Sequence, residues 1–185
     1  MNSETIFKDA PVEQVGAIYA CDRRGGIGYR GGLVVSSKAD IEHFWSTIGQ
    51  DVVIVGSKTW EGAKRYFLKR RPEAFHVVLT SDTTDEGWNI IKVDTPFQAI
   101  LKAKNFAAQN RVWICGGGYT YEALEPYTDF CLVTATDIRK EPCDTFISGR
   151  GQLLKGKVNI VKIKDLEKLR DTDDSVSVYR ITREG

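Results

Sequence analysis

Apolar residues recur along this chain with two different periods. Short runs with few polar interruptions, at 15–21, 52–56, 75–80, 89–93, 111–115 and 130–136, read as strands. Several are continuously apolar, as strands covered on both faces are. Two later runs, 158–163 and 176–182, alternate apolar with polar positions and predict an antiparallel hairpin at one edge. A period near 3.6 predicts helices between the strands. Over 38–48, Ile41, Phe44, Trp45 and Ile48 share one face. Further helices are expected over 58–67 and 96–107, with a short fourth after Gly118. Pro126 and Pro142 fall in connections. With no repeat, low-complexity tract or linker, the chain reads as one domain over 1–185, its polar first 13 residues a flexible extension. Strand–helix alternation followed by strands alone predicts an α/β fold with a mostly parallel sheet and an antiparallel C-terminal edge. Ligands of such sheets bind beyond the carboxyl ends of the strands, here just after Gly56, Thr80 and Cys115.

Composition narrows the partners. The chain has 185 residues, 42% hydrophobic and 28% charged, as soluble domains have. Its net charge of +1 gives no global attraction to nucleic acid or to an anionic membrane. No apolar run is long enough to span a bilayer. The polar start lacks the apolar core of a signal peptide, so export is not expected and the cytoplasm is the expected location. The four cysteines show no CxxC spacing and only two histidines accompany them, so no metal site is expected. Cys21, Cys115, Cys131 and Cys143 read as small hydrophobes in a reducing compartment.

Six segments carry candidate chemistry. Gly116-Gly117-Gly118 follows a buried strand and precedes a helix, where backbone without Cβ atoms and free N–H groups can meet a phosphate. The alternative is a tight turn, which needs only one or two glycines. Lys58 and Thr59 stand at a second strand-to-helix junction, and Thr80-Ser81 at a third strand end. The Lys58-Thr59 junction reads as an anion contact or as plain capping, and Thr80-Ser81 adds two more hydroxyls for an extended ligand with several phosphates. Ser37-Lys38-Ala39-Asp40 has the form of a capping box. Asp40 also shares a helix side with Phe44, so it is equally a candidate acid or an anchor for a cationic ring. The stretch 25–32 holds five glycines in eight residues. It reads as a long flexible turn or as a lid. The basic run Lys64, Arg65, Lys69, Arg70, Arg71 reads as a solvated face or as a receiver for a substrate carboxylate.

In chain order these pieces resemble dihydrofolate reductase. Ala20-Cys21-Asp22 with Gly26-Ile27-Gly28 resembles that family's first strand and loop. Gly56-Ser57-Lys58-Thr59-Trp60-Glu61 resembles its second junction, Ile114 to Gly118 followed by Tyr121 its glycine turn, and Asp144-Thr145-Phe146 a later segment. The resemblance runs from Val15 to the C-terminus. It implies a central eight-stranded sheet with four flanking helices, and hydride transfer from NADPH to C6 of dihydrofolate with protonation at N5. It implies Asp40 as the pocket carboxylate with Thr134 as its partner. Ile18, Ile41, Phe44 and Tyr121 would line the substrate, with Arg71 or Arg70 on its carboxylate tail. Gly116, Gly117, Gly118, Tyr119 and Thr120 would meet the cofactor's pyrophosphate from one side, Lys58 and Thr59 from the other. Thr80 and Ser81 would lie toward the adenosine end, and Ile27, Gly28 and Tyr121 toward the nicotinamide.

The chain departs from the family pattern in three places. Leu33-Val34-Val35 stands where the family usually has Leu-Pro-Trp. Ala74 stands where an Arg usually receives the substrate's carboxylate. Tyr119 stands where an Arg often follows the glycines, which leaves Lys58 as the main cation for the 2′-phosphate. A reductase of a related pterin or pyrimidine, and a non-catalytic protein that keeps the fold, are the rival readings. The N-terminal extension and the 64–71 segment are candidates for docking a protein partner in thymidylate synthesis.

Overall fold

The structure, a computed structural model, describes residues 13–84, 86–168 and 175–185. All but the last residue of the expected N-terminal extension lies outside them.

Eight strands form the main sheet: β1 (Val15–Cys21), β4 (Val52–Gly56), β5 (His76–Leu79), β6 (Ile90–Val93), β7 (Val112–Ile114), β8 (Phe130–Thr136), β10 (Val158–Lys168) and β11 (Ser175–Arg183). Their order is β10-β11-β8-β1-β7-β4-β5-β6. Only β11 runs against the rest, since it pairs antiparallel with both β8 and β10. The expected α/β class, mostly parallel sheet and antiparallel C-terminal strands are therefore present. The last hairpin is longer than its alternating sequence suggests, and β11 is inserted between β8 and β10 rather than lying at the rim.

Four helices flank the sheet: α1 (Lys38–Ile48), α2 (Ser57–Arg70), α3 (Pro96–Ala107) and α4 (Gly118–Leu124). The continuously apolar strands pack on both faces. Ile48 of α1 with Trp60 and Phe67 of α2 meets Ile18, Val53, Val55, Val78, Trp113 and Phe130. Ala99, Ile100 and Ala103 of α3 with Leu124 of α4 meet Val15, Ala17, Val52, Ile54 and Ile114 on the other side. α2 continues three residues beyond its expected end, because Leu68 still packs on the core and Lys69 and Arg70 suit the negative end of a helix.

The glycine-rich stretch is not a featureless turn. It holds β2 (Gly26–Tyr29) and β3 (Gly32–Leu33), which join β9 (Thr145–Phe146) in a separate sheet ordered β3-β2-β9. Arg30 (φ 48°) and Gly31 (φ 81°) make the two-residue turn between β2 and β3, a hairpin geometry that needs positive φ at both positions. No helix among the described residues is long and apolar enough to cross a membrane.

Candidate functional site

Strands β4 and β7 are neighbours, so their carboxyl ends place two loops side by side. The N–H of Gly56 donates to the carbonyl of Gly116 at 2.7 Å. A Cβ on Gly56 would lie 2.4 Å from the Thr120 hydroxyl, and one on Gly117 would lie 3.1 Å from that of Thr59. Side chains larger than hydrogen would fill this junction. Gly116, Gly117, Gly118, Thr59 and Thr120 are thus brought together as expected. The Gly116–Gly117 peptide is cis. Neither α2 nor α4 has a side-chain cap, so first-turn N–H groups remain available to an anion. Lys58 is exposed at the start of α2 and makes no ion pair with a described residue. Tyr119 is 75% exposed.

Thr80 and Ser81 follow β5, the next strand outward. Ser81 is exposed, while the Thr80 hydroxyl accepts the N–H of Asp82 at 3.2 Å. Nearby, Lys92 is tied to Glu86 at 2.8 Å, and Glu86 also accepts the indole N–H of Trp60. Lys58 is therefore the uncommitted ammonium at this end.

On the other flank, β1 lies between β7 and β8. Its register sets Ala20 beside Thr134. Asp40 sits in the first turn of α1 and is buried. Ser37 caps the helix by accepting the N–H of Asp40 at 3.1 Å. The Asp40 carboxylate is instead the acceptor for the hydroxyl of Thr134. The capping bond uses the main chain of Asp40, and its side chain turns to Thr134 rather than back to Ser37. Burial raises the Asp40 pKa, and the hydrogen bond from Thr134 only partly opposes this.

Tyr121 joins the two flanks. Its hydroxyl donates to the carbonyl of Ile18 at 2.7 Å, and its ring lies 3.3–3.5 Å from where a Cβ on Gly116 would stand. Ile27 is buried in the core beside the site. A Cβ on Gly118 would lie 3.9 Å from its terminal methyl and 3.0 Å from the methyl of Thr145. Gly28 is half-buried and accepts the N–H of Asp144 at 2.9 Å, which ties β2 to the 144–146 segment. Ile18 is buried and Phe44 is partly so, while Ile41 is 41% exposed. Thr145 and Gly56 carried no role in the sequence reading. Each matters through a contact made across the fold.

Arg71 is placed differently from the expectation. It is 1% exposed and turned into the core. Its Nε donates to the carbonyl of Gly49 at 2.7 Å, and an Nη donates to the carbonyl of Asp51. Burial lowers its pKa. Ending α2 at Arg70 swings Arg71 back under the α1–β4 connection, away from any solvent-borne carboxylate. Arg70 is the guanidinium that faces outward, stacked 5.1 Å over the ring of Trp45 on α1.

Residues 14–171 match the family model described as dihydrofolate reductase. A dihydrofolate reductase of Mycoplasma pneumoniae is 29% identical over 133 residues, 72% of this chain and 82% of that protein. One from Saccharomyces cerevisiae is 25% identical, covering 74% of this chain and 72% of the yeast protein. The fold is similar to that of a dihydrofolate reductase from Enterococcus faecalis complexed with NADP(H) and RAB-propyl. That match has a TM-score of 0.73 and 21% identity, and covers 93% of this chain and 97% of the other.

Proposed function

We infer the roles that follow from a premise: the chain belongs to the dihydrofolate reductase family. It is an NADPH-dependent dihydrofolate reductase that makes tetrahydrofolate. The observation that carries our reading of the site is the buried Asp40 carboxylate, held by Thr134 and flanked by a glycine junction that any Cβ would fill. The chain works as one domain.

The junction fits the cofactor. Gly116, Gly117, Gly118, Tyr119 and Thr120 meet the pyrophosphate from one side and Lys58 with Thr59 from the other. Thr80 and Ser81 serve the adenosine end, with Lys58 as the cation for the 2′-phosphate. Ile27, Gly28 and Tyr121 border the nicotinamide end. When bound, NADPH supplies the hydride that adds to C6 of dihydrofolate.

The protein supplies position and field. Ile18, Ile41 and Phe44 line the pterin. Asp40 accepts hydrogen bonds from the pterin's amino group and N3, and Thr134 fixes the carboxylate for that contact. Because burial makes ionisation of Asp40 costly, the site favours a proton at the pterin, reaching N5 through water. Arg70, in place of the buried Arg71, receives the carboxylate tail. Four unpaired cysteines suit a reducing compartment, and we place the enzyme in the cytoplasm.

Loss of NADPH absorbance with dihydrofolate tests this directly, with Asp40→Asn alongside. Wild-type turnover, with a fall of about a hundredfold or more in the variant, is the expected result. Turnover of a tail-less pterin but not of dihydrofolate would instead move the reading to a reductase of a related pterin. An Asp40→Asn variant as fast as wild type would remove Asp40 from the mechanism.

A further inference from the structure

Outside this site, one concentration of cations takes no part in the reaction. Arg23, Arg24 and Arg150 line a cavity of about 310 Å³. That is room for roughly ten water molecules. Two turns build it. The first follows Asp22, whose carboxylate is 2% exposed and accepts the N–H groups of Arg24 and Gly26, both at 2.8 Å, and of Lys140 at 2.9 Å. The second is the short helical turn Gly149–Gly151, with Arg150 at φ 59° and ψ 38°. Such left-handed backbone costs an arginine energy, so the position favours glycine or asparagine unless the long side chain is wanted there. The turns are in close contact. Ile147 donates its N–H to the carbonyl of Gly25 at 2.9 Å, and a Cβ on Gly25 would lie 2.3 Å from the Gly151 nitrogen.

The acids nearby bind Arg24 and backbone N–H groups and leave Arg23 and Arg150 uncompensated. Asp22 directs most of its bonding to backbone N–H groups. Arg24 bridges Asp22 at 3.3 Å and Glu141 at 3.0 Å, with its guanidinium 5.4 Å from the centre of the Phe146 ring. Glu141 is shared with Arg139 at 2.6 Å. The Nε of Arg24 is buried and has no acceptor. Arg23 and Arg150 make no ion pair with any described residue. Both Nη atoms of Arg24 are committed, to Asp22, Glu141 and the Lys140 carbonyl, which leaves Arg23 and Arg150 as two exposed guanidinium groups without an ion pair among the described residues on one half-open space, where their forked donors match a tetrahedral oxyanion.

We propose that the Arg23–Arg24–Arg150 cavity binds an oxyanion of the phosphate class, separate from the cofactor's phosphates. Bound there, the anion clamps the 22–25 turn to the 149–151 turn and so steadies the strand that carries Ile27 and Gly28.

Calorimetric titration of the full chain with inorganic phosphate, and with glycerol 3-phosphate, tests this at ionic strength matched with chloride. Three proteins are compared: wild type, the double variant Arg23→Gln/Arg150→Asn, and Lys58→Gln. Asparagine is chosen because it tolerates the left-handed backbone. Saturable phosphate binding is expected in wild type and in Lys58→Gln, weakened about tenfold or more in the double variant, whose reductase activity is unchanged. Amide exchange at Gly25 and Ile147 should slow when phosphate binds. Equal binding of glycerol 3-phosphate would identify a phosphorylated metabolite as the ligand, and binding of phosphate alone the free ion. Binding lost in Lys58→Gln but kept in the double variant would assign the anion to the cofactor groove and overturn the proposal. Heat no greater than with chloride, or exchange unaffected by bound phosphate, would also overturn it.

Discussion

Asp40 shows how one side chain sets function against stability. Its pKa is raised in the folded protein, so the native state holds that proton more tightly than the unfolded chain. Stability contributed at this position therefore falls as pH rises through the carboxylate range. Asp40→Asn should unfold at an equal or higher denaturant concentration than wild type at neutral pH, while its turnover should fall. The hydride-transfer rate should decline as pH rises past the Asp40 pKa, and a flat single-turnover profile would contradict that. His76 gives the opposite dependence. Burial, with the nearby Arg71 charge, pushes its pKa down to about 4. The unfolded chain takes up this proton at about pH 6.5 and the native state resists it. Stability should therefore drop by roughly 3 kcal/mol as pH falls from about 6.5 to about 4, and His76→Phe should flatten that part of a urea-midpoint profile.

At the scale of elements, the junction between β4 and β7 is the least tolerant place. Gly56→Ala sets a methyl against the Thr120 hydroxyl, which is itself buried and cannot swing away. We expect a loss of about 1–3 kcal/mol in chemical denaturation and NADPH binding weaker by about tenfold. At the α1–α2 contact, Arg70→Ala should raise the KM for dihydrofolate while leaving kcat, and the KM for a tail-less pterin, nearly unchanged. These elements were unequally legible in the sequence. The parallel strands stood out because both of their faces are covered, which leaves an unbroken apolar run. β2, β3 and β9 did not, because strands of two to four residues have no period to read and are held by partners distant in the chain. Asp40 was legible as a candidate, but only its capping bond is local, and the Thr134 hydroxyl beside its carboxylate arrives from β8. The basic run likewise gave no sign of which arginine the helix end would turn inward, because that depends on carbonyls of the α1–β4 connection.

For the molecule as a whole, the decisive feature is that the first strand lies at the centre. β1 pairs with β7 on one side and β8 on the other, so its partners are roughly a hundred residues away. No neighbour in sequence can shield it first. Closing such long loops precedes any gain from the contacts they allow, and chains built this way fold slowly. Refolding should take milliseconds or longer, with β1 amides among the last to be protected in pulse-labelled exchange. Until β7 and β8 are in place, the segment Val15–Cys21, almost wholly buried in the finished protein, is a bare apolar ribbon with both edges unpaired. It is the point at which a folding chain of this protein is most open to pairing with another copy of itself. Yield on refolding should therefore depend on concentration long before the native enzyme shows any tendency to associate.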